Sequence, residues 1–98
     1  MIRSLVFRPQ AVKEIEEAAE WYEKRAPGLS AEFLRALDAT VALVWRNPLQ
    51  FPAVHKQLRR AMLRRFPYSL IFSISDDEIV VIACAHWRQD ARRWRNRG

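Results

Sequence analysis

The apolar run Ile79-Val80-Val81-Ile82-Ala83-Cys84-Ala85 constrains this chain more than any other stretch of its sequence. It is far shorter than the about 20 residues that cross a bilayer. It follows the turn pair Asp76-Asp77 and predicts a strand from Glu78 to His86. A strand apolar on both faces belongs inside a sheet, not at its edge. Upstream, Ser69 to Ser75 sets Leu70, Phe72 and Ile74 against Ser69, Ser73 and Ser75, the period of a half-buried strand. Leu58 to Phe66 interleaves charged and apolar residues, with Pro67 as the turn that follows. Three such segments in succession form a meander.

The first half of the chain has a different period. Met1 to Phe7 alternates weakly and predicts a short first strand. Pro9 suits the first turn of a helix, where its missing N–H costs nothing. Val12, Ile15, Ala19 and Tyr22 then recur at helical spacing, while Lys13, Glu14, Glu16, Glu17, Glu20 and Glu23 face elsewhere. Ala26-Pro27-Gly28 breaks this helix. A second begins near Ser30 as a cap, repeats Phe33, Leu37, Val41 and Val44, and stops at Asn47-Pro48. So short a break makes the two helices an antiparallel hairpin. Gln50 to Lys56 is a connecting loop, and Gln89 to Gly98 is either a short basic helix or a frayed end. The expected fold is α+β, in the order strand-helix-helix-strand-strand-strand. The helical hairpin packs on one face of a small, mostly antiparallel sheet, in one domain over residues 1–98.

The net charge of +6 is unevenly spread. Residues 1–47 hold seven Lys/Arg against seven acids, whereas residues 48–98 hold ten against four, and nine of those ten are arginine. Planar guanidinium groups pair with phosphate or carboxylate in two-pronged fashion, so an anionic partner is indicated. The single cysteine, Cys84, allows no internal disulfide and behaves as a small core residue, consistent with a cytoplasmic protein that has no membrane partner. Two histidines 31 positions apart and one cysteine offer no metal-ligand spacing, and no glycine-rich phosphate loop occurs, so no cofactor is expected.

Several segments together resemble the RelE/ParE superfamily of type II toxins. They are the helix ending Trp21-Tyr22, Pro27-Gly28-Leu29 followed by Phe33, the Asn47-Pro48 stop, Arg64-Arg65-Phe66-Pro67-Tyr68 before an apolar strand, and His86-Trp87-Arg88 with Trp94 and Arg97 beyond. The resemblance implies neutralisation by a cognate antitoxin and one of two targets: messenger RNA cut in the ribosome, or DNA gyrase poisoned. RelE-like nucleases ring the scissile phosphate with lysines and arginines and often carry a tyrosine near the C-terminus. Here the tyrosines are Tyr22 and Tyr68, and Trp94 stands in the C-terminal region. That departure favours the ParE-like, gyrase-directed branch, with a metal-independent endoribonuclease as the alternative and a non-toxic nucleic-acid-binding module as a third.

RNA cleavage through the 2′-hydroxyl needs a base, an acid and cations for the charge that grows on phosphate. Two reversals of the meander bring Arg64, Arg65, Tyr68, His86 and Arg88 toward one edge, and these are the catalytic candidates if the protein is a nuclease. Arg64 and Arg65 should point to opposite faces if their strand extends that far. Tyr68 and His86 each have packing roles available as well. Arg59, Arg60, Arg88, Arg92, Arg93, Trp94 and Arg97 are the candidates for contact with nucleic acid or target. Trp21 and Trp45 are core-edge packing residues or a partner-facing patch, Trp87 and Trp94 anchor the tail or stack on bases, and His55 is incidental in its loop.

Overall fold

Pairing on both edges is what an apolar central strand requires, and the chain supplies it from opposite ends of the sequence. The computed structural model describes residues 2–97. In chain order the elements are β1 (Ser4–Phe7), α1 (Pro9–Arg25), α2 (Leu29–Arg46), β2 (Ala53–His55), β3 (Leu58–Met62), β4 (Tyr68–Ser75) and β5 (Glu78–His86), with 3-10 turns at Pro48–Gln50 and Ala91–Arg93. The sheet order is β1-β5-β4-β3-β2. β1 lies parallel to β5, from Ser4 opposite Glu78 to Phe7 opposite Val81, and the other pairs are antiparallel. The expected α+β order therefore holds, with one added strand. Ala53–His55, expected as loop, pairs with β3 as the outermost strand.

The helical hairpin covers one face. Phe33, Leu37 and Val44 of α2 and Ala11, Ala18 and Tyr22 of α1 pack with Leu70, Phe72, Ile79 and Val81. The buried line of α1 is rotated from the expected stripe: Val12 is 40% exposed, and alanines 11 and 18 face the sheet instead. Small side chains let the helix backbone approach the strands closely. Glu14, three residues after Ala11 and four before Ala18, is consequently carried inward with them.

Gly28, at φ +87°, turns the chain between the helices. The start of α2 is capped from outside. Glu23 of α1 accepts the Gly28 and Ser30 backbone N–H groups and the Ser30 hydroxyl, at 2.7–3.2 Å. Ser30 is thus a donor inside the helix, and the cap role expected of it belongs to a carboxylate placed at the positive end of the helix dipole. Those bonds, the Ser30 hydroxyl foremost, hold the Glu23 carboxyl below the usual range.

The opposite face of the sheet is covered by the C-terminal tail. Trp94, 7% exposed, lies on Leu58, Ile71, Val80, Ile82, Ala83 and Ala85. Of the two alternatives for the tail, it is neither frayed nor a regular helix, but a docked segment with one 3-10 turn. β4 and β5 pair Ile71 with Ala83 and Phe72 with Val81, which leaves Ile82 without a partner. This bulge reverses the alternation along β5, so Ile79 and Val81 face the helices and then Cys84 does.

Candidate functional site

The bulge decides where His86 lands. Two residues beyond Cys84, it follows that thiol onto the helix side, where Tyr68 is its cross-strand partner and the two rings meet edge to face at 5.1 Å. The Arg88 backbone N–H donates to His86 Nδ1 at 3.0 Å, which leaves Nε2 as the protonated nitrogen of the neutral ring. The His86 N–H donates to Gln89 Oε1, and the Trp87 N–H donates to the Pro67 carbonyl, pinning the turn in place. A cavity of about 510 Å³ opens beside these groups, lined also by Tyr22, Cys84, Glu14, Glu17 and Arg93.

The chemistry available in that cavity is limited by protonation. Burial raises the Tyr22 and Tyr68 phenols above their usual values, and burial followed by the nearby Glu14 charge pushes the Cys84 thiol up to about 12. All three stay protonated at neutral pH. In that state they are able to donate hydrogen bonds but not to take a proton from a substrate.

Among the candidate cations, only Arg93 reaches this cavity. β3 ends at Met62, earlier than the expected Phe66, because Leu63 and Phe66 turn into the core and the Leu63 N–H donates to the Tyr68 carbonyl. Arg64 and Arg65 therefore sit in the β3–β4 turn and not on two faces of a strand, and Arg65 takes a left-handed φ of 70°. Both line a separate groove of about 650 Å³ along α2, where Arg65 bonds Glu32 at 3.0 Å. The expected meeting of the Arg64–Arg65 pair with Tyr68 and His86 at one edge is not realised in the structure, whereas Tyr68 and His86 themselves do meet.

The remaining candidates divide by what already holds them. Arg97 is structural: its guanidinium forms a two-pronged pair with Glu14 at 3.0 Å and donates to the Ile82 carbonyl at 3.2 Å. Glu14 in turn accepts the Cys84 N–H at 3.0 Å. β1 has ended at that level, so the two side chains complete the edge of β5 in its place. Arg92 bonds Asp90, whose carboxyl is lowered by it, and Arg59 donates to the Phe51 carbonyl. Trp94 is buried in the tail's packing, whereas Trp87 is 50% exposed. Arg60 and Arg88 are exposed and make no ion pair among the described residues.

Sequence reasoning missed Glu14, although its spacing with Ala11 and Ala18 was a usable signal. It also left open the exposed aromatics of the hairpin. Trp21 is 49% exposed under the Arg25 guanidinium, 4.2 Å from its ring centre, and Trp45 is 44% exposed. The α2 groove presents Leu43 and Met62 at 45% and 49% exposure, bordered by Arg35, Arg46, Arg64 and Arg65. Such an apolar floor with a cationic rim is unusual on a chain that stands alone. Among the described residues no cluster of metal-ligating side chains occurs, and no helix is long and apolar enough to cross a membrane.

A strand, a helical hairpin and a four-strand meander closed by a docked tail define a small α+β fold. A solved structure described as the chromosomal ParDE TA system from P. aeruginosa is similar, with a TM-score of 0.75 at 16% sequence identity, over 88% of this chain and 96% of that one. The sequence profile of the family described as ParE toxin of type II toxin-antitoxin system, parDE, matches residues 5–91. The chain belongs to the ParE toxin family. No curated protein matches it by sequence.

Proposed function

We propose that this toxin arrests growth by binding and poisoning DNA gyrase, performs no hydrolysis of nucleic acid itself, and is silenced by an antitoxin seated in the α2 groove. The observation that carries the reading is the separation of parts at the end of β5. His86 and Tyr68 share a cavity with one candidate guanidinium, Arg93, and with the carboxylates of Glu14 and Glu17. Glu14 is neutralised by Arg97, but Glu17 leaves the place poorly suited to hold a phosphate whose charge is growing. Membership of the ParE family supports the gyrase branch over the ribosomal one.

The antitoxin assignment rests on complementarity. The groove along α2 combines exposed Leu43 and Met62 with four arginines, of which only Arg65 has an acidic partner among the described residues. An amphipathic acidic helix satisfies both the apolar floor and the rim.

The test is direct. Purified protein should stall gyrase supercoiling while leaving ribosome-bound messenger intact. Messenger cleavage that disappears in His86→Ala and Arg65→Ala, with gyrase untouched, would reverse the assignment. Leu43→Glu with Met62→Glu should weaken capture of the antitoxin at least about tenfold, because two buried apolar contacts become charged, while toxicity persists. An unchanged antitoxin affinity moves that partner to another face.

A further inference from the structure

At the other end of β4 and β5, away from His86, lies a second cleft of about 590 Å³ on the tail side of the sheet. Three segments remote in sequence deliver cations to it: Arg8 from the end of β1, Lys56 from the β2–β3 turn, and Arg95 from the tail. None of the three is in an ion pair among the described residues. Arg8 is aimed by a bond from its guanidinium to the Arg97 carbonyl at 3.1 Å. Glu78 is the one carboxylate in the lining, and one of its oxygens already accepts the Ser4 hydroxyl at 3.0 Å. Ser73 and Ser75 add neutral donors.

Like charges gathered in a cleft repel one another and focus a positive potential that an anion relieves. Lys56 occupies a left-handed turn position, as Arg65 and Asp76 do at their turns. Its φ is 52°, where glycine or asparagine relieves strain and a lysine does not. His55 and Ile74, both partly exposed, line the cleft beside the cations, whereas Leu58 and Val80 lie buried with Trp94. The volume lies within the range of small-molecule sites and well above the size of a bare phosphate ion. The geometry points to a nucleotide-binding cleft in which Arg8, Lys56 and Arg95 hold phosphate while the partly exposed His55 ring and Ile74 side chain take the sugar and base. The phosphate comes from a free nucleotide or from a unit of a single strand, and the chemistry is the same in both. This site is separate from the α2 groove and from the His86 cavity.

The experiment titrates the full chain with ADP, with a fluorescent eight-nucleotide single strand and with inorganic phosphate. Saturable binding of ADP or of the single strand is expected, with inorganic phosphate competing weakly, and the tighter of the first two identifies the source. Lys56→Glu and Arg95→Glu should each weaken binding at least tenfold, whereas Lys13→Glu, an equal change of charge on the exposed side of α1, should change it less than twofold. Lys56→Gly separates binding from folding, since it should raise the melting temperature and still lower affinity. If the single strand is the ligand, three contacts predict a loss of about 20-fold between 50 and 200 mM salt. Absence of saturable binding to both nucleotide probes overturns the assignment. So does an affinity that Lys13→Glu lowers as much as Lys56→Glu does.

Discussion

The two faces of the sheet are covered by very different means. One carries a two-helix layer whose contacts run from Ala11 to Val44, and the other carries a single tail held by Trp94 and by one partly buried ion pair. The helix face spreads its stability over many side chains, so the loss of one leaves the layer attached. The tail face concentrates it chiefly in two residues, so loss of either should loosen the whole segment. That segment also supplies Arg93 to the His86 cavity and Arg95 to the basic cleft, so the less redundant cover is the one that builds both recesses.

The contrast can be broken by measurement. Phe33→Ala empties a fully buried position against Tyr22 and Phe66 and should cost about 4 kcal/mol by urea unfolding. Trp94→Ala should cost less, about 3 kcal/mol, because the tail can lift away and leave no sealed cavity. Amide exchange should nevertheless rise throughout residues 89–97 in Trp94→Ala and stay local in Phe33→Ala. Equal, local protection changes in both variants would erase the distinction between the faces.

Arg97→Ala sharpens the same point. It leaves the Glu14 carboxylate, whose side chain is 12% exposed, without its cation and strands the Ile82 carbonyl. The expected cost is about 2 kcal/mol. Arg92→Ala, whose pair with Asp90 is mostly exposed, should cost much less than Arg97→Ala. A reversal of that order would mean the tail is held by its 3-10 turn and not by the edge of β5.

The smallest effect concerns the helix face. The Glu23 carboxyl is lowered in the fold, so its contribution is present above the carboxylate range and fades as pH falls through the folded value. Wild type should therefore exceed Glu23→Gln in melting temperature at pH 7, with the gap closing toward pH 3. A gap that persists or widens in acid would show that the cap does not depend on the carboxylate's charge.

Much of this architecture was legible beforehand. The helical period placed both helices within a residue or two, and the two-sided apolar run placed β5 inside the sheet, since each pattern repeats within a few residues and each demands cover. The meeting of Tyr68 and His86 at one edge followed from counting reversals, although their direct pairing did not. What escaped was set by small departures from regularity. β2 is only three residues long, β3 stops before Arg64, and Glu14 hides among the glutamates of an exposed helix face. His55, set aside as incidental in its loop, lines the basic cleft together with Lys56 and the tail's Arg95.

The order of elements, the need for a layer on each side of the central strand and the surplus of arginine in the second half are properties of the chain as written, because periodicity and charge are local and additive. Which side chains share a recess is different. Alternation along a strand reverses with a single unpaired residue, as at Ile82, and a left-handed turn, as at Arg65, sends a side chain toward a different neighbour. Those choices are made by packing among segments far apart in sequence, and no short window of residues contains them.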